Sequence, residues 1–380
     1  MHFQFDPARW LRHLFAPIDP WLWGILISIL GGGFIVMLSA SPERLNAHLI
    51  NLAAALIVMV VVAHTRMQRL HSLALPLYVV GVLLLVAVEL FGETSKGATR
   101  WLNIGIARIQ PSELMKIAMP LMLAWYFQKR EGSLKVRDFL VATALLAIPV
   151  GLIAKQPDLG TALLVVGAGV FVIFFAGLSW KLIVPVTVLG VSAIVAVIIY
   201  QGPICEHGVE WPGLREYQKH RVCTLLDPSS DPLGKGFHTI QSTIAVGSGG
   251  VTGKGWREGT QAHLDFLPER HTDFILAVLS EEFGLLGVIA LLVLYAMLIA
   301  RSLAIAANAP NLFARLLAGA ITMTFFTYAF VNMGMVSGIL PVVGVPLPFV
   351  SYGGTALVTL CLGVGMLMSI SRNRRHGRRQ

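Results

Sequence analysis

The chain has 380 residues, a formal net charge of +9 and a mean hydropathy of +0.73, with 56% hydrophobic and only 13% charged residues. A soluble chain carries about twice that charged fraction, so a string of soluble domains is excluded. The positive charge lies in short loops and tails between apolar runs, which reads as membrane topology and not as nucleic-acid binding.

Apolar runs of roughly 18–25 residues recur along the chain and predict an all-α polytopic membrane protein. Met1–Pro20 is a short amphipathic lead with Arg9 and Arg12. It shows no cleavable signal pattern, so the first run is expected to remain as a span. About ten spans are expected, at about 21–40, 47–64, 74–91, 112–128, 138–154, 158–178, 180–200, 273–300, 313–336 and 346–371. A long polar segment, 201–272, separates spans 7 and 8 within what reads as one transmembrane domain, 1–380.

Lys and Arg concentrate on alternate connections: Arg66, Arg69, Lys129, Arg130, Lys135, Arg137, Lys181, Arg301, Arg315 and the tail Arg372–Arg379. The positive-inside rule puts these, and both termini, in the cytoplasm, so segment 201–272 faces outward. The connection between spans 3 and 4 breaks the rule with Lys96, Arg100 and Arg108. These are either ordinary loop charges or a sign of an anionic ligand. No internal repeat is visible, which weighs against a transporter built from inverted halves.

Several polar residues need explaining. Segment 92–116 reads as a loop, with Trp101 as an interfacial anchor and Pro111 in the first turn of span 4. Glu113 and Lys116 then share a helix face, either as a first-turn ion pair or as groups facing a cavity. Asp158 is placed to cap span 6. Cys205 and Cys223, on an exported segment, are free to pair, whereas Cys361 lies in span 10 as packing. Gly213–Leu226 has the look of an interfacial amphipathic helix. The Gly-rich run Gly247–Gly259 lacks P-loop spacing. Thr272 and Asp273 stand at the start of span 8 as a cap and first-turn acid, or as working groups. Glu281 and Glu282 cannot both face lipid comfortably, so part of span 8 is expected to line a polar interior. Val345–Thr355 opens span 10 with Pro346, Pro348, Gly353 and Gly354, a broken helix start of the kind tolerated only inside protein. Glu113, Lys116, Asp158, Asp273 and this irregular start gather at the outer ends of spans. They outline an outward-facing polar cavity for an amphiphilic, anionic substrate.

The motifs GATRWLNIG (97–105), QPSELMKIA (110–118), KQPDLGT (155–161), FLPERHTDFI (266–275) and PLPFVSYGG (346–354) follow one another in this order. In order and spacing they resemble the SEDS family (shape, elongation, division and sporulation), and within it the RodA-like elongation branch more than the division branch. The resemblance implies a peptidoglycan glycosyltransferase that polymerises lipid II on the periplasmic face of the bacterial inner membrane. It also implies a class B penicillin-binding protein, a transpeptidase, as partner within the elongation machinery. By the same resemblance Asp273 is the essential carboxylate, with Glu113 and Lys116 an essential pair. Arg100, Trp101, Asp158, Arg270, His271 and Ser351 are the substrate-binding candidates within these motifs. Asp265 stands where the division branch has a regulatory Glu.

The expected chemistry is inversion at C1, with undecaprenyl pyrophosphate leaving and Asp273 as base. Lys116, Arg100 or a divalent cation (Mg2+ or Mn2+) is expected to meet the pyrophosphate, and no organic cofactor is expected. The alternatives are a lipid II flippase, whose polar residues should continue to the cytoplasmic side, and a non-catalytic scaffold.

Overall fold

The computed structural model describes residues 17–377, apart from 96–97, 104, 106–107, 206–208, 210, 212–215, 229–233, 265 and 268. Lys96, Asp265 and most of the N-terminal lead therefore lie outside the described residues.

Each of the ten expected spans overlaps a helix, the tenth only from Gly354 onward. The first seven are α1 (Pro20–Ala40), α2 (Leu45–Ala63), α3 (Met67–Phe91), α4 (Pro111–Gln128), α5 (Val136–Lys155), α6 (Leu159–Phe175) and α7 (Trp180–Ile199). Segment 201–272 holds α8 (Gln201–Cys205), α9 (Glu216–Leu226), α10 (Lys235–Ser248) and α11 (Thr260–His263). Then come α12 (Ile275–Ala307), α13 (Leu312–Val336) and α14 (Gly354–Gly377). Eight of these helices are long and apolar enough to cross a membrane: α1, α2, α3, α5, α7, α12, α13 and α14. The apolar α6 is shorter. The remaining helix, α4, carries Glu113 and Lys116 near its start and is buried along most of its length, through Met115, Met119, Leu123 and Phe127. It is the central post of the bundle, packed by α3, α6 and α13. Its polar residues are tolerable because they face protein and not lipid. By contrast α7 buries no residue at all and stands on the rim.

Three features depart from the sequence reading. The connection between α3 and α4 is a small antiparallel sheet, β1 (Glu93–Ser95), β2 (Ala98–Asn103) and β3 (Arg108–Ile109). Its strands are too short for a two-residue alternation to register in the sequence. Arg108 is held within this sheet by Glu93, at 3.4 Å. Next, α9 packs polar side chains into the protein: Lys219 and Thr224 are buried. Cys223 on this helix is bonded to Cys205 of α8.

The third departure is in α12, which is broken at Gly284 (φ 63°, ψ −161°). The portion after the break, Leu285–Ala307, is itself long enough to cross a bilayer at about 1.5 Å per residue. The Gly-rich segment folds onto the break. Glu281 O and Glu282 O accept from Lys254 N and Gly255 N at 2.9 and 3.0 Å, while Leu285 N and Leu286 N donate to Gly250 O and Val251 O at 3.0 and 3.1 Å. The carboxylates join in. Glu281 Oε1 accepts from Lys254 Nζ (2.6 Å), Thr260 N (2.9 Å) and Thr260 Oγ1 (3.0 Å). Ser39 Oγ of α1 donates to Glu282 Oε1, with His263 Nε2 3.6 Å from the same oxygen. So Glu281 and Glu282 face a buried polar network, as expected of part of span 8, and not open space. They anchor the segment that closes the break.

The break needs glycine. At this φ and ψ other residues are strained, and a Cβ on Gly284 would come within 2.3 Å of Gly253 N. Gly284→Ala is expected to cost at least about 1–3 kcal/mol. Thermal unfolding in detergent beside the wild type measures it, and an unchanged midpoint would contradict this account of the joint.

Candidate active site

The N-terminal ends of α4, α6, α12 and α14 converge on one side of the bundle. Between them lies a cavity of about 650 Å³, well within the size range of small-molecule sites. Asp273, Lys116, Glu113, Asp158, Arg100 and Trp101 all line it.

Lys116 is brought there by helix periodicity. One turn into α4 it lies on the face of Glu113, and its Nζ donates to Glu113 Oε1 at 2.5 Å. The lysine side chain is 4% exposed and the glutamate 13%. The ammonium also sits 5.3 Å from the centre of the Tyr328 ring on α13. A buried ammonium needs such a set of partners, since an unpaired one would be strongly disfavoured. Thr359 of α14 donates to the other Glu113 oxygen at 3.4 Å.

Asp158 does two things. Its Oδ1 accepts from Thr161 N at 3.2 Å and caps α6. Its Oδ2 accepts from Gln110 Nε2 at 2.9 Å, and Arg100 Nη1 is 3.6 Å from Oδ1. The cap and the cavity wall are one residue.

Asp273 lies one residue before the N-cap of α12. The residue at the N-cap of α12 is Phe274, which makes no side-chain capping bond. Thr272 turns back to Glu269, donating to its carbonyl and its Oε2 at 3.2 Å each. The backbone around Asp273 is firmly held. Asn332 Nδ2 of α13 donates to Asp273 O and to Val345 O, both at 2.8 Å. Ser351 Oγ donates to Thr272 O at 2.6 Å and accepts from Leu347 N at 2.8 Å. Tyr352 N donates to His271 O at 2.8 Å. The irregular strap before α14, residues 339–353, is thus stitched to the turn that presents Asp273. Gly344 of this strap lies against the carboxylate, where an added Cβ would be 3.3 Å from Asp273 Oδ2. The carboxylate is held half-exposed, facing the cavity.

Three sequence candidates are placed elsewhere. Ser351 bonds backbone groups and is not part of the cavity wall. Arg270 Nε donates to Ala40 O at 2.7 Å and ties the turn to α1. His271 packs edge-on against Tyr352, with ring centres 5.7 Å apart. Burial, with the Arg44 charge nearby, pushes its imidazole below the ordinary value. Other wall residues carried no signal of their own in the sequence: Arg221 of α9, His238 of α10, and Gln110. Arg221 and His238 lie in the long polar segment, and only folding brings them to the cavity.

A metal fits this set poorly. Among the described residues no three His, Cys, Asp or Glu side chains converge to hold an ion. The cavity acids near α4 already serve Lys116, Gln110 and Arg100.

The family model described as a cell cycle protein, that of FtsW, RodA and SpoVE, matches residues 23–376. The chain belongs to this family. Among its SEDS relatives, peptidoglycan glycosyltransferase MrdB of Escherichia coli K12 is 48% identical over 362 residues, covering 94% of each chain. Stage V sporulation protein E of Bacillus subtilis is 36% identical over 297 residues, covering 78% of this chain and 77% of the relative. A solved structure described as the structural coordination of polymerization and crosslinking by a peptidoglycan synthase complex contains a chain of similar fold. It matches with a TM-score of 0.77 and 35% identity, over 94% of this chain and 98% of that one. The crystal structure of the rod shape determining protein RodA of Thermus thermophilus matches with a TM-score of 0.67 and 29% identity, over 94% and 97%. This SEDS protein is a multi-pass membrane protein built from the same helical bundle.

Proposed function

We infer that the chain is a peptidoglycan glycosyltransferase that polymerises lipid II into β-1,4 glycan during elongation. The observation that carries this reading is the single cavity that places Asp273 together with the Glu113–Lys116 pair and Arg100. The sugar 4-hydroxyl of one lipid-linked substrate attacks C1 of the other. The bond from C1 to the phosphate oxygen breaks, and the pyrophosphate departs with its electron pair. Asp273 takes the hydroxyl proton, as a half-exposed carboxylate in the cavity can. Lys116, aimed by Glu113, and Arg100, aimed by Asp158, meet the negative charge that grows on the leaving oxygen. Inversion requires no covalent enzyme intermediate. A divalent ion here would draw most of its ligands from pyrophosphate and water, as Mg2+ does, and no step is routed through it.

The positive-inside pattern supports a cavity facing the periplasm, with both termini in the cytoplasm and segment 201–272 as a large periplasmic region of one transmembrane domain. The inner membrane is then where substrate and enzyme meet. A crosslinking partner, a class B penicillin-binding protein, fits because new glycan must be joined to the wall. The flippase alternative fares less well. Beyond Lys116, α4 continues with Met119, Met122, Leu123 and Phe127, all buried and apolar.

The test is lipid II polymerisation by the purified protein with its transpeptidase partner, with moenomycin present to silence ordinary transglycosylases. Glycan chains are expected. Their absence beside an active partner, together with lipid II translocation in vesicles, would overturn the reading in favour of the flippase.

A further inference from the structure

The cavity has a second source of positive charge that the reaction scheme above does not use. Arg221 and His238 line it, and both belong to the exported segment between α7 and α12. Arg221 Nη1 donates to Val342 O at 3.1 Å. Val342 lies two residues before Gly344, the residue packed against the Asp273 carboxylate. His238 stacks on Phe274, the neighbour of Asp273, with ring centres 5.8 Å apart and planes 15° from parallel. These groups therefore reach the cavity beside Asp273, whereas Lys116 and Arg100 reach it from α4 and β2.

The chemistry calls for two anion sites. Both substrates of a lipid-linked glycan polymerase carry pyrophosphate: the donor loses it and the acceptor keeps it through the reaction. One cluster of cations beside the departing group leaves the other pyrophosphate without a counter-charge.

The helix that carries Arg221 is held in an unusual way. Helix α9 is short and polar, EYQKHRVCTLL. Lys219 Nζ of this helix donates to Val209 O at 2.7 Å, and Trp211 Nε1 donates to Ile204 O at 2.8 Å. These are contacts within the same small sub-loop. The covalent tie is Cys205–Cys223, with Cys223 two residues from Arg221. It fastens α9 to α8, which continues directly from the membrane helix α7. A disulfide closing a loop of this size restrains a segment that has little core of its own.

Building on the glycosyltransferase reading, we propose that Arg221 binds the pyrophosphate that stays on the acceptor lipid, and that the Cys205–Cys223 disulfide is the brace that holds Arg221 in position. Arg221 is the binding residue. The two cysteines are positioning residues that act through it.

The experiment is steady-state lipid II polymerisation by full-length protein with its partner, comparing wild type, Arg221→Ala, Arg221→Lys, Cys205→Ser/Cys223→Ser, and the last combined with Arg221→Ala. Elution profile and thermal midpoint are followed for each. A lost charge-assisted contact to a group that is not transformed should raise KM by about 10- to 100-fold and leave kcat nearly unchanged. Arg221→Lys should recover part of that loss, because it keeps the charge but not the fork. The double serine variant should shift KM in the same direction, and wild type reduced with a phosphine should match it. Adding Arg221→Ala to the double serine background should bring little further loss, because residues acting through one contact are not additive. A wild-type KM for Arg221→Ala, or a loss in kcat alone, would overturn the role of Arg221. Fully additive losses would overturn the brace. Failure of the wild type itself to make glycan would instead reject the glycosyltransferase reading, so the two failures are distinguishable.

Discussion

Asp273→Asn is expected to yield a protein that folds, inserts and binds its partner but makes no glycan. The substitution keeps the shape of the side chain beside Gly344 and leaves the backbone bonds from Asn332 and Tyr352 in place. It removes the negative charge and with it the capacity to take up a proton. A positioned general base is worth about 10²–10⁴ in rate, enough to drop polymer below detection in an ordinary gel assay. Because Asn keeps the size of the side chain and one acceptor oxygen, little stability should be lost with the change. Normal polymer from this variant would remove Asp273 from the mechanism; an unfolded variant would return it to a structural role.

Substitutions in the Glu113–Lys116 pair should separate stability from catalysis. Glu113→Ala leaves the buried ammonium without its anion, and breaking a buried pair in this way costs about 3–5 kcal/mol. Lys116→Met replaces the ammonium with an apolar chain of similar length among Met115, Met119 and Tyr328. The partner it abandons is the more exposed of the two and keeps Thr359 as a donor. Stability should therefore fall less, while activity drops by about 10²–10³ as one electrostatic stabiliser of the leaving group is lost. The double variant Glu113→Gln/Lys116→Met should regain stability without regaining activity. Thermal unfolding and polymerisation rates on the same preparations check both halves. A Lys116→Met protein with wild-type turnover would confine the pair to a structural role.

The bundle was legible because hydrocarbon imposes a coarse rule. Apolar runs bounded by charge or Pro/Gly became helices, and even the broken start of span 10 showed in Pro346, Pro348 and Gly353. The six residues gathered at the cavity sit where polar side chains interrupt such runs, at Glu113, Lys116 and Asp158, or in the turns just before them. What stayed hidden depends on contacts across long stretches of chain. Glu281 and Glu282 read as a polar lining, yet their partners lie in the Gly-rich segment and in α1, a tertiary match no local pattern records. Arg270, His271 and Ser351 neighbour the key residues in sequence but turn toward backbone and aromatic partners. Arg221 and His238 were missed for another reason: an amphipathic pattern around Arg221 says nothing of a cavity, and each is placed by a distant partner, Val342 O for Arg221 and the Phe274 ring for His238.

The joint in α12 bears on how the chain enters the membrane. Residues 250–255 are synthesised before residues 281–286, so the groups that close the break exist before the helix that needs them. In an upside-down α12 the carbonyls of Glu281 and Glu282 and the amides of Leu285 and Leu286 would have no strand-like partner on their side. Each stranded group in a non-aqueous setting would cost a few kcal/mol. The bridged break therefore ties the closure of α12 to a segment made before it, through backbone polarity and not through charge.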